Sequence, residues 1–241
     1  MDAFLVRGLI TEVIGRLKSG KEADVFLCRA HPDHGGALLA AKVYRPRGER
    51  AFRAEETYLE GRASLHRGRA RFGSVSRAVA RRSAAGKELL SELWVRREYE
   101  VLRRLAAIGV PAPRPVACDG GAVLMEYLGD LEAPAPRLAT VRLAQDEAVH
   151  LRRELLAGVE AMLSHGLIHG DLSPYNVLYW AGRAYLIDLP QAVDAAVHGD
   201  GLGLLRRDAQ NLTRHFARYG LVDDGAAWAE ALWLRYVTGR L

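Results

Sequence analysis

The sequence predicts a two-lobed α+β protein, with a small antiparallel β-sheet lobe followed by a mainly helical lobe. Three short runs of apolar and β-branched residues, at positions 9–17, 24–28 and 37–44, are separated by turn-forming residues and predict the antiparallel strands. Apolar residues at helical spacing dominate the second half. Strands that come first and helices that come later, without strict alternation, are typical of an α+β architecture.

The remaining elements follow from periodicity and from the residues that interrupt it. Apolar residues recur at helical spacing between positions 90 and 108, and Gly109 with Pro111 ends that helix. The stretches RPVAC and AVLMEYL have the short apolar character of strands. In chain order, the further predicted elements are strands at 114–118 and 122–128, a helix at 141–164, and two terminal helices at 205–219 and 226–237.

Length and composition indicate an ordinary globular protein. The 241 residues fit two joined lobes, which we expect at 1–128 and 129–241. No apolar run approaches the roughly 20 residues that span a bilayer, and the N-terminus lacks the features of a signal peptide. Cys28 and Cys118 form no metal-binding pattern. We therefore expect a cytoplasmic protein without membrane association.

The positive charge is concentrated in one segment. Residues 45–104 hold sixteen Lys or Arg and eight Glu, and positions 61–87 contain no carboxylate. This pattern predicts a flexible basic arm at about 45–88 that contacts RNA, the ribosome or another polyanion. Composition alone favours the alternative, a solvated surface, because arginine is abundant throughout the chain.

The stretch HGDLSPYNVLYWAGRAYLID carries the chemistry. NVLYW and AYLID read as strands joined by a tight AGR turn, so Asn176 and Asp188 are expected to lie side by side at the open end of a hairpin. Asp171 lies five residues before Asn176. Carboxylate and amide oxygens suit Mg²⁺ carried by phosphates, and Asp171 can accept the proton of an attacking hydroxyl. We expect His169 to hold the loop rather than to act as a base.

Asp-x-x-x-x-Asn followed by a hairpin and a second Asp is the catalytic layout of protein-kinase-like folds. The alternative is that Asp171 and Asn176 only cap turns. Such folds pair a strand lysine with a helix glutamate, and Lys42 and Glu98 are each costly to bury alone. Their pairing would direct Lys42 at the nucleotide α- and β-phosphates.

The turn after the first strand is a candidate phosphate loop. GRLKSGKE nearly matches the Walker A pattern, but a glutamate replaces the magnesium-binding hydroxyl and strand-like residues follow it. We therefore reject a P-loop. Ser19, Gly20 and Lys21 can still bind phosphates through a hydroxyl, backbone N–H groups and a charge.

Together these motifs resemble the RIO family of atypical serine/threonine protein kinases, and its first subfamily in particular. SGKEADVF resembles the family's phosphate loop, normally S-T-G-K-E-A-N-V-Y, and AAKVYR its lysine strand. HGDLSPYNVLY resembles the catalytic loop, usually H-A-D-L-S-E-Y-N, and LIDLPQAVD the metal loop I-D-x-x-Q. LRRDAQNLTRHF is similar to the helix that follows. The resemblance covers residues 7–219.

The resemblance implies a Mg·ATP-dependent kinase, with Mn²⁺ as an alternative metal, that lacks the large substrate-docking region of ordinary kinases. A kinase of this family would be expected to phosphorylate itself or another protein, or to hydrolyse ATP through a phosphorylated Asp188. The resemblance assigns Asp171 and Asp188 to catalysis, and Asn176 and Asp188 to the metal. The phosphates would be bound by the Lys42–Glu98 pair and by Ser19, Gly20 and Lys21. The adenine hinge would consist of Met125, Glu126 and Leu128. Ser64, Ser74, Ser76 and Ser83 in the basic arm are the candidate autophosphorylation sites.

Three other functions stay open. Small-molecule kinases of the aminoglycoside and choline type carry H-G-D-x-x-x-x-N, and Gly170 matches their glycine where the RIO loop usually has alanine. A ribosome- or RNA-associated factor in which ATP turnover times release is compatible with the basic arm. An inactive pseudokinase is the least favoured, because no catalytic residue is missing.

Overall fold

A computed structural model describes residues 1–34, 37–45 and 84–241, of which residues 84–91 are described by their backbone. Most of the predicted basic arm, including its four serines, therefore lies outside the described residues. The chain divides into two compact units. One comprises Met1–Glu100 with Arg114–Tyr127, and the other Val101–Pro113 with Leu128–Leu241.

The first unit is built on a five-stranded antiparallel sheet. A short helix, α1 (Asp2–Val6), precedes the sheet and was not predicted, because five residues are too few to show a helical period. Its Phe4 is buried in the sheet's apolar core. The strands are β1 (Ile10–Ser19), β2 (Ala23–Ala30), β3 (Leu38–Tyr44), β4 (Pro115–Asp119) and β5 (Ala122–Glu126). Their order in the sheet is β1-β2-β3-β5-β4.

Helix α2 (Ala84–Ala107) connects β3 to β4 in the sequence. Its buried residues recur three and four positions apart, as the periodicity predicts. Glu98 lies in this buried stripe between Val95 and Val101. Gly109, at φ +74°, follows the helix in the left-handed conformation expected of a C-terminal stop.

The second unit contains three longer helices and two small sheets. Helix α3 starts at Gln145 rather than at position 141, because Val141 is extended and the Glu147 carboxylate accepts a hydrogen bond from the Ala144 N–H. The elements are α3 (Gln145–Ser164), β6 (Leu167–Ile168), β7 (Val177–Trp180), β8 (Arg183–Leu186), β9 (Val193–Asp194), α4 (Gly201–Ala217) and α5 (Gly225–Val237).

The two small sheets frame the loops that carry the predicted chemistry. Strands β7 and β8 form the predicted hairpin, with Val177 opposite Leu186, and β6 pairs with β9. Ala181 and Gly182 make the hairpin turn with positive φ angles, which suits the twist of the two strands. The loop between β6 and β7 and the loop between β8 and β9 are thus anchored at both ends by strand pairing.

The terminal helices pack closely on each other. Helix α4 begins four residues before its predicted start, because the Asp200 carboxylate caps it by accepting from the Gly203 N–H. A Cβ at Gly201 would lie 2.7 Å from the Trp233 ring, so glycine permits the contact with α5. No helix among the described residues is both long and apolar enough to cross a membrane.

Candidate active site

Lys42 and Glu98 form a buried ion pair in the first unit. Lys42 lies on β3 and Glu98 on α2, and 2.7 Å separates Nζ from Oε1. The side chain of Glu98 is 3% exposed and that of Lys42 is 15% exposed, so neither charge is well hydrated. Each charge is therefore stabilised mainly by its partner. The contact matches the predicted pairing, and the role of the pair in binding phosphates stays a prediction.

Tyr44 completes this pair and was missed by the sequence analysis. Its hydroxyl donates to the second carboxylate oxygen of Glu98, and the Lys42 ammonium lies 5.0 Å from the centre of its ring. Burial, and after it the charge of Glu98, raises the pKa of Tyr44 well above its usual value, so the phenol keeps its proton and donates. Lys42 and Tyr44 are two apart on one strand and share a face, a signal present in the sequence.

The candidate phosphate loop is the tight turn between β1 and β2. The Gly20 N–H donates to the Ala23 carbonyl at 3.0 Å, and a Cβ on Gly20 would lie 3.0 Å from the same oxygen. Lys21 is exposed at the tip of the turn. The Ser19 hydroxyl lies 2.8 Å from the Arg45 guanidinium. The turn is thus closed by backbone bonds and has a hydroxyl and two cations at its edge.

The predicted hinge follows β5. The Glu126 N–H donates to the Arg114 carbonyl, while the Glu126 carboxylate accepts from the Arg114 backbone N–H and Nε. The Leu128 carbonyl accepts from the Ala135 N–H. Met125 and Leu128 are buried. These bonds engage the N–H of Glu126 and the C=O of Leu128 within the protein.

Asp171 and Asn176 are joined by two hydrogen bonds in the second unit. The Asn176 side-chain nitrogen donates to the Asp171 carbonyl at 2.8 Å and to the Asp171 carboxylate at 3.1 Å. Asn176 ends a 3₁₀ turn, Pro174–Asn176, that leads directly into β7. Because the amide nitrogen faces Asp171, the amide oxygen is directed elsewhere and can serve as a metal ligand.

Asp188 lies beside this pair. The Ile187 N–H donates to the Asn176 carbonyl at 3.0 Å, which continues the hairpin ladder past the end of β8. Asp188 follows at φ +65°, a left-handed conformation that non-glycine residues rarely adopt outside constrained sites. The hairpin therefore brings Asn176 and Asp188 to adjacent positions, as its open end predicts.

His169 links the two loops. The ring Nε2 lies 3.1 Å from the Ile187 carbonyl, which can only accept, so Nε2 carries the proton. Burial lowers the pKa of His169, which makes the neutral ring the dominant form at neutral pH. The buried Nδ1 meets no hydrogen-bond partner in the described part of the chain. This arrangement suits a residue that holds the loop.

Helix α4 holds the backbone on both sides of Asp171. The buried Asp208 carboxylate accepts from the N–H groups of Gly170 and Leu172, each at 2.8 Å. The Arg207 guanidinium donates to the Gly170 carbonyl, and the Asn211 amide donates to the Leu172 carbonyl at 3.0 Å. These three roles were not predicted, because LRRDAQNLTRHF carries only a resemblance to a family helix and no local signal for its distant partners.

The donor set fits magnesium. Asn176 and Asp188 supply one amide and one carboxylate at the end of one hairpin, and Mg²⁺ commonly takes one or two protein oxygens together with water and phosphate. Among the described residues, no group of three or more His, Cys, Asp and Glu is arranged to hold a metal ion. Two protein oxygens leave most positions of an octahedral Mg²⁺ ion to water and phosphate, so the Asn176 and Asp188 donors suit a metal that arrives with a nucleotide.

Comparison with known proteins identifies the family. A sequence model of the RIO domain matches residues 24–225, which is most of the chain. The chain belongs to the RIO domain family. This membership favours the hypothesis of a RIO-type kinase over that of a small-molecule kinase of the aminoglycoside or choline type.

Several RIO proteins resemble this chain along most of its length. It is 34% identical to the RIO-type serine/threonine-protein kinase Rio1 of Haloferax volcanii, over 93% of this chain and 68% of that protein. It is 30% identical to the serine/threonine-protein kinase RIO1 of Chaetomium thermophilum and 29% identical to that of Homo sapiens. Each match covers 90% of this chain but only 41% and 35% of the relative.

Solved structures of RIO proteins share the fold. The Rio2 kinase of Chaetomium thermophilum, in a complex described as ADP/Mg²⁺-phosphoaspartate, superposes with a TM-score of 0.68 at 23% identity and covers 96% of this chain and 64% of its own. A second Rio2 structure from that organism gives a TM-score of 0.69. The predicted α+β, kinase-like fold is confirmed.

Proposed function

We propose that this RIO protein is a Mg·ATP-dependent phosphotransferase of the serine/threonine kinase type. The observation that carries the proposal is the loop system in which Asn176 bonds to Asp171 and accepts from Ile187, beside Asp188. It combines a candidate base with two hard oxygen ligands. Relatives named serine/threonine-protein kinases support the same activity, although the chain spans only about two fifths of the fungal and human ones.

In the proposed reaction Asp171 accepts the proton of an attacking hydroxyl. The hydroxyl oxygen forms a bond to the γ-phosphorus, the bond from that phosphorus to the β–γ bridging oxygen breaks, and ADP leaves. Asn176 and Asp188 would hold Mg²⁺, which neutralises charge on the phosphates. Lys42, oriented by Glu98 and Tyr44, would bind the α- and β-phosphates.

The turn between β1 and β2 and the predicted hinge would bind the rest of the nucleotide. Ser19, Gly20 and Lys21 would contact phosphate oxygens. The Glu126 N–H and the Leu128 carbonyl already bond within the protein, so adenine would meet the Glu126 carbonyl and the Leu128 N–H. Met125, which is buried, would line the adenine side.

The acceptor is the finer part of the proposal. A serine of this chain or of another protein would make the enzyme a kinase. Asp188 itself as acceptor would make it an ATPase that works through an acyl phosphate, and the phosphoaspartate named for the Rio2 complex supports this second candidate. Asp188 also has the constrained backbone found at functional sites.

Transfer of γ-labelled phosphate from Mg·ATP tests both candidates. Wild type, Asp171→Asn and Asp188→Asn would be compared for label on the protein and for released phosphate. Stable label on serine, lost in both variants, supports the kinase. Released phosphate with little stable label, lost in Asp188→Asn, supports the ATPase. A wild type that neither binds ATP nor transfers phosphate contradicts the proposal. Replacing Mg²⁺ with Mn²⁺ tests the alternative metal in the same assay.

Contact with RNA or the ribosome through the basic arm is a separate part of the proposal. The excess of arginine over carboxylate in residues 45–88 supports it. Phosphate contacts by several arginines would make RNA affinity fall steeply with salt. RNA binding that does not change between low and high salt would contradict an electrostatic contact.

A further inference from the structure

Arg45 ties the candidate phosphate loop to the end of β3. Its Nε lies 2.9 Å from Asp24 Oδ2, and one terminal nitrogen lies 2.7 Å from Asp24 Oδ1 and 2.8 Å from Ser19 Oγ. Its backbone N–H donates to the Glu22 carbonyl at 2.9 Å. Arg45 therefore contacts Ser19 at the end of β1, Glu22 in the turn and Asp24 at the start of β2.

The side-chain contacts of Arg45 reinforce the last pair of the β1–β2 ladder, from which the turn projects. Ser19 and Asp24 are the last paired residues of β1 and β2, and the Gly20 to Ala23 bond lies inside them. Asp24 binds the guanidinium through both carboxylate oxygens, a geometry that lysine cannot reproduce. Fixed in this way, the guanidinium sets the position of the Ser19 hydroxyl.

The same contacts offset a charge that opposes phosphate binding. The Arg45 guanidinium, and after it the Ser19 hydroxyl, hold the pKa of Asp24 below its usual value, so Asp24 is ionised at neutral pH. An uncompensated carboxylate next to the turn would repel phosphate. Asp24 therefore places a negative charge beside the candidate phosphate loop, and Arg45 offsets it.

We propose that Arg45 is a positioning residue for the nucleotide phosphates, which holds Ser19 in place and neutralises Asp24. The inference rests on the proposed function, because it assigns Arg45 to the same nucleotide site. Arg45 acts through Ser19 and Asp24 rather than on the reacting atoms. Its loss is therefore expected to weaken nucleotide binding and to leave the chemical step nearly unchanged.

The test measures Mg·ATP affinity, KM and kcat for wild type, Arg45→Ala, Arg45→Lys and the double variant Asp24→Asn/Arg45→Ala. We expect Arg45→Ala to raise Kd and KM about tenfold and to change kcat less than about twofold, since roughly tenfold corresponds to one charge-assisted contact. Arg45→Lys keeps the charge without the two-point geometry and is expected to be intermediate. The double variant is expected to recover much of the affinity, because no carboxylate is left uncompensated.

Arg29→Ala is the matched control. Arg29 on β2 pairs with Glu12 of β1 at 3.4 Å and is exposed to a similar degree, 50% against 45% for Arg45. Thermal unfolding of every variant reports whether the sheet is intact. If Arg45→Ala and Arg29→Ala bind Mg·ATP equally well, or the double variant is no better than Arg45→Ala, the inference is wrong while the proposed function stands. If wild type does not bind Mg·ATP, both are wrong.

Discussion

Gly170, directly before the candidate base, has no room for a side chain. Its φ is +81°, and a Cβ would lie 2.8 Å from the Gln191 carbonyl in the loop that follows Asp188. Contacts of this length are essentially never made by a real Cβ. The two loops of the candidate site therefore approach each other closely at this glycine.

Gly170→Ala is expected to destabilise the protein and to reduce phosphate transfer. The left-handed backbone alone costs about 1–2 kcal/mol for an L-residue, and the clash must also displace one loop. Denaturant unfolding and phosphate transfer would be measured together. Gly182→Ala is the control, because Gly182 has φ +77° and open space around it. Equal effects of the two substitutions on activity would contradict a role for the contact between the loops.

Tyr44→Phe isolates the hydroxyl that bonds to Glu98. Because Glu98 is buried, loss of this donor is expected to lower the free energy of unfolding by about 1–3 kcal/mol and to raise the KM for ATP. The control is Tyr99→Phe, whose hydroxyl lies at the limit of bonding, 3.5 Å from the Val116 carbonyl. If Tyr44→Phe were as stable as Tyr99→Phe, the Tyr44 hydroxyl would contribute nothing and Lys42 alone would stabilise the buried Glu98 carboxylate.

At the scale of the elements, α4 holds the backbone of the loop that carries Asp171, the candidate base. Its residues Arg207, Asp208 and Asn211 lie on one face and bond to the backbone on both sides of Asp171. Burial raises the pKa of Asp208 from 3.8 to about 7, against the lowering effect of the two N–H donors. The buried Asp208 carboxyl therefore binds a proton at a higher pH in the folded protein than in the unfolded chain.

The raised pKa predicts a pH dependence of stability. Between about pH 4 and 7 the folded protein holds a proton on Asp208 that the unfolded chain has lost, so this contribution to stability is full at low pH and falls as the pH rises towards about 7. The difference is on the order of a few kcal/mol. Denaturant unfolding across this range is expected to show the decline in wild type and to lack this component in Asp208→Asn.

Asp200→Asn is the control for that experiment, since Asp200 is an exposed cap at the start of the same helix and asparagine also caps. It is expected to retain the decline. Asp208→Asn keeps only one acceptor oxygen for two N–H groups, so it is also expected to reduce phosphate transfer. If the stability of Asp208→Asn fell with pH as much as that of wild type, a group other than Asp208 would be responsible for the decline.

At the scale of the whole molecule, each compact unit carries one part of the predicted machinery. The first unit holds Lys42, Glu98 and the turn at Ser19, and the second holds the loops with Asp171, Asn176 and Asp188. In the first unit the Lys42–Glu98 pair, which is predicted to bind phosphates, is also part of the core, because Glu98 is buried against Lys42 and Tyr44. Substitutions there are expected to affect folding and nucleotide use together.

Lys42→Met separates these two effects. It leaves the Glu98 charge buried without its cation and is expected to cost about 3–5 kcal/mol of stability and to abolish phosphate transfer. The double variant Lys42→Met/Glu98→Gln removes both charges and is expected to recover much of the stability but none of the transfer. Unfolding and activity would be measured on both. If the double variant recovered phosphate transfer together with stability, Lys42 would only support the fold.

Sequence patterns predicted the main strands and helices, though not α1, β6 or β9. They also singled out Lys42, Glu98, Asp171, Asn176 and Asp188 as the candidate site. Those predictions rest on local signals: period, turn residues, fixed spacings and charges too costly to bury alone. The distant residues that support the candidate site are visible only in the folded chain. Asp208 reaches Gly170 across 38 residues, and Arg45 reaches Asp24 across 21. Such contacts depend on where the folded chain brings its segments together, and no local pattern in the sequence encodes that.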